Sequence, residues 1–237
     1  MLATPDLLKK FSLFKSASLE DLELLCAHSV VERHARRSVI LNAGVRENRV
    51  CLLFEGRLQG VDFTIDGKEV GLYFVEPGDY CGELCVFDKG TQPEHVIALN
   101  ASVVVLISAP VIQDVARRNP DLTLSFGSKL ATRVRQMTRQ RALLSLPNVL
   151  QRVCNQLWLL IPQAELNTNK KIEINNLPTH MEIAIMLNLS RETITRVFQQ
   201  LQKRQIVSRL GHNRLAIDNM IELKKLVEDP NEYKSEP

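Results

Sequence analysis

The segment Thr179–Gln205 constrains this chain more than any other part of its sequence. A short amphipathic stretch, Met181–Leu187, is followed by a turn at Asn188, and a second helix then begins at Ser190. Ser190 is a favourable N-cap because its hydroxyl can accept a hydrogen bond from the free amides of the first turn. Two short helices joined by a tight turn predict a helix-turn-helix.

The second of these helices separates an apolar stripe from a polar end. The stripe repeats at intervals of three and four residues and consists of Ile194, Val197, Phe198 and Leu201. Arg191, Glu192 and Arg196 lie off the stripe, near the N-terminal end that meets base edges in the major groove. An arginine can donate two hydrogen bonds to guanine, and a glutamate can accept one from cytosine. The alternative is an ordinary surface helix in which Glu192 complements the helix dipole.

Positive charge is concentrated around this helix. The whole chain has a formal net charge of only +3, whereas residues 191–217 contain a single acidic residue, Glu192. The basic residues of the segment are Arg191, Arg196, Lys203, Arg204, Arg209 and Arg214. Local clustering of this kind indicates a polyanion-binding surface and favours the base-reading interpretation.

The residues after the second helix predict a β-hairpin. Residues 206–210 and 214–217 are short apolar segments, and Gly211, His212 and Asn213 between them are turn residues. A helix-turn-helix followed by a β-hairpin is a winged helix.

These motifs resemble the DNA-binding domain of the cAMP receptor branch of the Crp/Fnr regulators. The resemblance is carried by Thr179-x-x-Glu182-Ile183 and Leu189-Ser190-Arg191-Glu192-Thr193-x-x-Arg196, and it continues through residues 78–84 (Gly-Asp-Tyr-Cys-Gly-Glu-Leu) and Asn119-Pro120-Asp121. It implies an α+β chain with an N-terminal cyclic-nucleotide-binding-like β-roll, a long dimerisation helix and a C-terminal winged helix-turn-helix. The corresponding domains are residues 1–117, 118–146 and 147–237.

The same resemblance implies that the partner is double-stranded DNA. We expect Arg191, Glu192 and Arg196 to read the bases of a TGTGA-like inverted repeat within a homodimer, with RNA polymerase as a further partner. Phosphate contacts are expected from Thr179, Ser190, Thr193, Lys203 and His212.

Residues 29–108 have the pattern of short strands. Apolar or alternating runs such as Val50–Phe54, Leu58–Phe63 and Val70–Val75 are separated by turn residues rich in Gly and Asn. Several short strands at this spacing indicate a sandwich or a barrel. The resemblance makes this a jelly-roll-like β-roll.

A long helix with a coiled-coil-like seam is predicted next. Its apolar positions are spaced mostly by four and three residues, at Leu122, Phe126, Leu130, Val134, Met137 and Leu144. We expect a parallel homodimer along this seam; the alternative is that the stripe packs on the chain's own β-domain. Pro147 then interrupts the helix, which predicts a hinge at residues 145–148 and a DNA-binding domain from near Val149.

The expected effector pocket departs from the family pattern. Gly82, Glu83 and Leu84 match a Gly-Glu-Leu motif whose glutamate, by the resemblance, binds a ribose hydroxyl. The Arg-Ser pair that holds the cyclic phosphate in cAMP-binding members falls here on Pro93 and Glu94, and residues 90–116 contain no Lys or Arg. A buried phosphate needs a paired cation or several donors. We therefore expect an effector other than cAMP, or none.

Other residues leave an alternative open. The adenine-facing Thr-Ser pair expected on the long helix is Met137-Thr138, which is only half matched. A cAMP-responsive protein would need Lys89, or the partner subunit's Arg141, to replace the missing arginine. Glu83 is otherwise expected to cap backbone amides in its own loop.

The sequence does not favour other sensors or catalysis. Only Cys26 precedes residue 50, so no iron–sulfur cluster is expected, and the lone His95 is weak support for haem. Cys81 and Cys85 could form a thiol pair, although two small buried side chains are the preferred interpretation. Since no nucleophile–base or paired-carboxylate pattern stands out, we expect no catalytic residues, no metal site and no enzyme activity.

Composition adds an expected location. The N-terminus lacks the basic-then-apolar layout of a secretion signal, and the longest apolar run, residues 101–107, is too short to cross a bilayer. Five scattered cysteines fit reduced thiols. A cytoplasmic regulator without a membrane partner is therefore expected. The competing interpretation is a ligand-binding or protein-interaction module with a vestigial DNA-binding domain.

Overall fold

The chain forms two compact units, residues 1–135 and 136–237. The structure is a computed structural model that describes residues 2–88, 90–161, 172–211 and 213–228. Strands dominate the first unit, and the second contains the helix-turn-helix, so the expected α+β class is confirmed. Across these described ranges, none of the helices combines the length and the apolar character needed to span a bilayer.

In the part of the first unit that the structure describes, eight strands form two antiparallel sheets. They are β1 Ser29–His34, β2 Val39–Leu41, β3 Arg49–Glu55, β4 Leu58–Phe63, β5 Glu69–Val75, β6 Tyr80–Cys81, β7 His95–Ala98 and β8 Ser102–Ser108. One sheet has the order β1-β8-β3-β6 and the other β2-β7-β4-β5. Apolar side chains from both sheets, among them Leu53, Val96 and Val104, meet in one buried core. This sandwich matches the β-roll expected from the run of short strands.

Short helices cover a second core in the same unit. They are α1 Pro5–Leu8, a 3₁₀ turn at Ser12–Phe14, α2 Leu19–Ala27, α3 Leu84–Phe87 and α4 Ala109–Arg118. The Ser18 side chain caps α2 by accepting from the amide of Asp21. Phe14 and Phe126 are completely buried in this core, together with apolar residues of β3 and β8.

The long helix α5 spans Pro120–Leu144, and its apolar stripe divides into two parts. Leu122 and Phe126 are completely buried in the core of the first unit. Further along the stripe, Val134 and Met137 are 62% and 61% exposed. Packing on the chain's own β-domain thus accounts for only the first part of the stripe.

The second unit joins a helix-turn-helix to a small sheet. Its elements are α6 Val149–Leu160, β9 Ile172–Ile174, α7 His180–Leu187, α8 Arg191–Lys203, β10 Val207–Arg209, β11 Leu215–Ile217 and α9 Met220–Glu228. The expected hairpin is formed by β10 and β11, and β9, which the sequence analysis missed, extends it into a sheet of order β10-β11-β9. After α5 ends, Asn148 caps α6 by accepting from the amides of Leu150 and Gln151.

Local capping defines the two helices of the helix-turn-helix. Thr179 and Glu182 form a reciprocal capping box at the start of α7. Asn188 ends α7 in the left-handed conformation, with φ of 53°, which an asparagine tolerates better than most residues. Ser190 then caps α8 by accepting from the amide of Thr193 at 3.1 Å. The predicted stripe of Ile194, Val197, Phe198 and Leu201 is buried, which confirms the register of α8.

Candidate DNA-binding surface and effector pocket

The predicted base-reading residues lie together at the N-terminal end of α8. Arg191, Glu192 and Arg196 are all exposed, while the opposite face of the helix is packed into the core of the second unit. A cationic pair with one carboxylate between them can offer donors to guanine and an acceptor to cytosine. The surface therefore carries the chemistry of a base-reading helix.

Three of the predicted phosphate-contacting residues lie at the starts of α7 and α8, and a fourth, Lys203, lies at the far end of α8. Thr179 caps α7, whereas the hydroxyls of Ser190 and Thr193 lie 2.9 Å apart at the start of α8. Lys203 is exposed at the far end of α8, about 18 Å along the helix axis from Arg191 at 1.5 Å per residue. His212 lies outside the described residues.

His180, the first residue of α7, contacts both α8 and the wing, which is the hairpin of β10 and β11. This role was not predicted from the sequence. The Nδ1 atom of His180 lies 2.9 Å from the hydroxyl of Thr195 on α8, and its Nε2 lies 3.0 Å from an Nη atom of Arg209 on β10. Its ring also packs on Phe198, with the centroids 4.6 Å apart. Burial lowers the pKa of His180, and the nearby Arg209 and Arg191 lower it further.

The predicted effector residues Gly82 and Glu83 lie between β6 and α3 in the first unit, and Leu84 is the first residue of α3. Gly82 has φ of +76°, and a Cβ there would lie only 2.8 Å from Leu41, so this position requires glycine. The buried Glu83 forms an ion pair with Arg133 of α5, with 3.7 Å between Oε1 and Nη2. Glu83 makes no capping hydrogen bond to α3, so the expectation that it caps its own loop was wrong: its carboxylate faces the cation on α5 instead.

Glu94 belongs to a buried polar network. It takes one of the two positions where the family resemblance predicts a residue that binds the cyclic phosphate. Its carboxylate accepts hydrogen bonds from the Tyr73 hydroxyl and, at 3.0 Å, from the Gln92 side-chain amide. The Arg133 guanidinium lies over the Tyr73 ring, 3.7 Å from its centroid. Burial raises the pKa of the Glu94 carboxyl, although the Tyr73 hydrogen bond and the Arg133 charge partly offset this effect.

Gly60 makes room for this network. It lies opposite Tyr73 across β4 and β5, and a Cβ at Gly60 would come within 2.6 Å of the Tyr73 ring. Because glycine lacks that atom, the Tyr73 ring can pack closely against Gly60 while it also contacts Arg133.

Arg133, the cation of this site, was not among the residues predicted from the sequence. It lies seven residues after Phe126 and eleven after Leu122, so helical periodicity places it on the buried stripe of α5. A charged residue on an apolar stripe indicates a buried partner, and that signal was present in the sequence. Lys129, on the same side of the helix, forms an ion pair with Asp79 and lies over the Tyr80 ring.

The remaining candidates from the sequence, Met137, Thr138, Cys81 and Cys85, do not take part in the hydrogen bonds and ion pair described for Glu83, Glu94 and Arg133. Met137 and Thr138 belong to the second unit, so the described first-unit network is formed without them. Cys81 lies directly opposite Cys51 across β3 and β6, whereas the Cys85 thiol donates to the Gly82 carbonyl at 3.0 Å. Cys81 is completely buried, as expected, whereas Cys85 is only partly buried, so the expectation that both are buried side chains is wrong for Cys85.

Comparison with known families gives the class of this protein. Residues 31–119 match the cyclic nucleotide-binding domain, and residues 151–226 match the Crp-like helix-turn-helix domain. The chain belongs to the Crp/Fnr family of DNA-binding transcriptional regulators.

Individual relatives cover most of the chain. It is 29% identical over 196 residues to the cAMP-activated global transcriptional regulator Vfr of Pseudomonas aeruginosa, covering 80% of this chain and 90% of Vfr. A CooA mutant from Carboxydothermus hydrogenoformans has the same fold, with a TM-score of 0.74, 18% identity and coverage of 96% and 98%. The c-di-GMP responsive regulator CLP of Xanthomonas campestris gives a TM-score of 0.66 at 19% identity, with coverage of 85% and 100%.

Proposed function

We propose that this regulator acts as a homodimer that reads a TGTGA-like inverted repeat and does so without cAMP. Independence from cAMP is proposed because of the buried Glu94 carboxylate, which accepts hydrogen bonds from Tyr73 and Gln92. This carboxylate lies where a cyclic phosphate would need a cation. The exposed set Arg191, Glu192 and Arg196 supports the reading of the inverted repeat.

The base-reading assignment rests on chemistry and position together. Each of the two arginines can pair with the O6 and N7 atoms of a guanine, and Glu192 can accept from the N4 amino group of cytosine. All three side chains project from the first two turns of a helix whose other face is buried. Thr179, Ser190, Thr193, Lys203 and His212 are proposed as the phosphate contacts that orient this helix.

The electrostatics of the sensor unit support independence from cAMP. Arg133 is the cation nearest Glu94 in the described network, and Glu83 and the Tyr73 ring already engage it. A cyclic phosphate would have to compete with these internal partners and would meet the Glu94 carboxylate. Vfr is named as cAMP-activated and CLP as c-di-GMP responsive, so membership of the family does not by itself identify an effector. The residues of the pocket are therefore the basis for this part of the proposal.

The exposed half of α5 supports the dimer. Val134 and Met137 continue the stripe whose first part is buried, yet both are more than half exposed in the isolated chain. A second copy of the same helix, packed in parallel, would cover them. A two-fold dimer also matches a palindromic site with half-sites about one helical turn apart. We further propose that it acts with RNA polymerase in the cytoplasm.

Binding-site selection from random DNA tests the proposal. The purified chain is presented with a random duplex library, alone and with a panel of cyclic nucleotides that includes cAMP. The proposal predicts a TGTGA-like inverted repeat under every condition. An unrelated motif, or enrichment only when cAMP is present, would refute it, and an Arg191→Ala, Arg196→Ala double variant is the matched control for the selected sequence.

A further inference from the structure

Arg209 is held against the helix-turn-helix through a directed chain of hydrogen bonds. It is the last residue of β10, is exposed, and approaches His180 at 3.0 Å although the two residues lie 29 positions apart. On the other side of His180, Thr195 continues the chain into α8 and lies 2.9 Å from the Arg191 carbonyl oxygen.

The chemistry of these groups fixes the direction of every bond. A guanidinium can only donate, so the His180 Nε2 atom must accept from Arg209. The ring is therefore neutral and carries its proton on Nδ1, which donates to the Thr195 hydroxyl. Thr195 in turn donates to the Arg191 carbonyl oxygen.

The surroundings favour this neutral form. Arg209 faces the ring from the wing and Arg191 faces it from α8, so both would repel an imidazolium. Phe198 covers the ring with an apolar surface. On His180's own helix, the Glu182 carboxylate accepts from the Thr179 amide in the capping box. A protonated ring would also turn Nε2 into a donor that faces another donor.

We propose that Arg209 is a phosphate-contacting residue of the DNA interface and that neutral His180 positions its side chain for this contact. The inference rests on the proposed DNA-binding function. The bond to His180 uses one of the five N–H donors of the guanidinium, so the group can still donate to a phosphate. Because the long side chain is already held, it loses less conformational entropy when DNA binds.

The salt dependence of DNA binding tests this assignment. Dissociation constants are measured over a range of salt concentrations for a duplex with a TGTGA-type inverted repeat and for a duplex of scrambled sequence. Removing one phosphate contact reduces the slope of log K against log salt by about one. Arg209→Gln should therefore lower the slope by about one per subunit on both duplexes, with base preference unchanged. Lys224→Gln, an equal change in net charge on α9, is the control and should have little effect.

The role of His180 is tested by comparing single and double variants of His180 and Arg209. His180→Ala should weaken binding and lower the slope as Arg209→Gln does, and the double variant should lose no more than either alone. His180→Gln keeps an acceptor for Arg209 and should retain the wild-type slope, which a purely structural role of His180 would not predict. Nitrogen-15 NMR of the imidazole should report the neutral tautomer with the proton on Nδ1.

The outcomes separate this inference from the proposed function. An unchanged slope in Arg209→Gln, additive losses in the double variant, or a proton on Nε2 would overturn the roles of Arg209 and His180. Equal binding of both duplexes by the wild type would contradict only the proposed reading of a specific DNA sequence. The role of Arg209 would still be tested by the salt dependence of binding. Failure to bind either duplex would overturn both proposals.

Discussion

The Arg133 guanidinium lies over the face of the Tyr73 ring, with its central carbon 3.7 Å from the ring centroid. The same guanidinium pairs with the buried Glu83 carboxylate, and Tyr73 donates to Glu94. One side chain of α5 is thus the positive centre between two carboxylates that lie on different elements of the sensor unit. The stability of this unit should therefore depend on Arg133.

Replacing this cation should destabilise the first unit strongly. In Arg133→Met the Glu83 and Glu94 carboxylates lose their compensating charge while remaining buried, and breaking a buried ion pair costs about 3–5 kcal/mol. Urea unfolding followed by circular dichroism measures this loss. The single tryptophan, Trp158, lies in the second unit and reports that unit separately by fluorescence. The double variant Arg133→Met, Glu83→Gln should recover part of the lost stability, because it no longer buries an uncompensated Glu83 carboxylate. An Arg133→Met variant as stable as the wild type would show that the network contributes nothing to stability.

Neutralising Glu94 should stabilise the first unit in a pH-dependent way. Burial raises the pKa of Glu94 in the folded chain above 4.5, its ordinary value, so ionisation opposes folding as pH rises through the folded pKa. Glu94→Gln removes this cost and can still accept from Tyr73. The unfolding midpoint should thus rise more at pH 8 than at pH 4.5. Glu20→Gln, at an exposed position of α2, is the control, and a lower midpoint for Glu94→Gln at pH 8 would contradict the prediction.

Arg196→Ala should relax base preference at one G·C pair. The loss of a bidentate contact to guanine costs about 1–3 kcal/mol of discrimination. Lys203→Ala, on the same helix, serves as the contrast because a lost phosphate contact weakens binding to all sequences alike. Fluorescence anisotropy with single-base variants of the selected site distinguishes the two effects. A uniform loss of affinity in Arg196→Ala would assign it to the phosphate backbone instead.

A charge on the exposed half of α5 should separate the subunits. Val134→Glu and Met137→Glu each place a carboxylate in the proposed seam, where desolvation and repulsion from the symmetry-related copy oppose association. Light scattering at micromolar concentration should give a dimer for the wild type and the 26.9 kDa monomer for both variants. Ser128→Glu, an exposed position on the opposite side of the helix, should leave the dimer intact. A monomeric wild type would contradict the proposed assembly.

Local features of the fold could be predicted from the sequence because their causes lie within a few residues. The Ser190 cap, the turn at Asn188 and the buried stripe of α8 each depend on contacts along one or two turns of chain. The short strands β10 and β11 could be predicted because turn residues join them into a hairpin, whereas β9 was missed since its partner, β11, lies far along the chain: Ile174 pairs with Leu215.

The polar networks depend on contacts between residues distant in sequence. Tyr73 meets Glu94 across 21 positions, and His180 meets Arg209 across 29. Periodicity indicates that Arg133 faces inward but cannot identify Tyr73 and Glu83 as its partners, because those contacts depend on how α5 packs on the β-domain. The departure at Pro93 and Glu94 predicted a pocket poorly suited to a phosphate, whereas the partners of the internal cation Arg133 became apparent only in the structure.

The most direct test of the proposed function measures DNA binding and cAMP binding on the same ligand-stripped protein. Fluorescence anisotropy with a TGTGA-type inverted repeat is recorded with and without cAMP, and calorimetry measures cAMP binding to the free protein. We predict tight, sequence-specific DNA binding that cAMP does not change, and no saturable cAMP binding at micromolar concentrations. Low-micromolar cAMP binding accompanied by tighter DNA binding would contradict the proposed role of the Glu94 network.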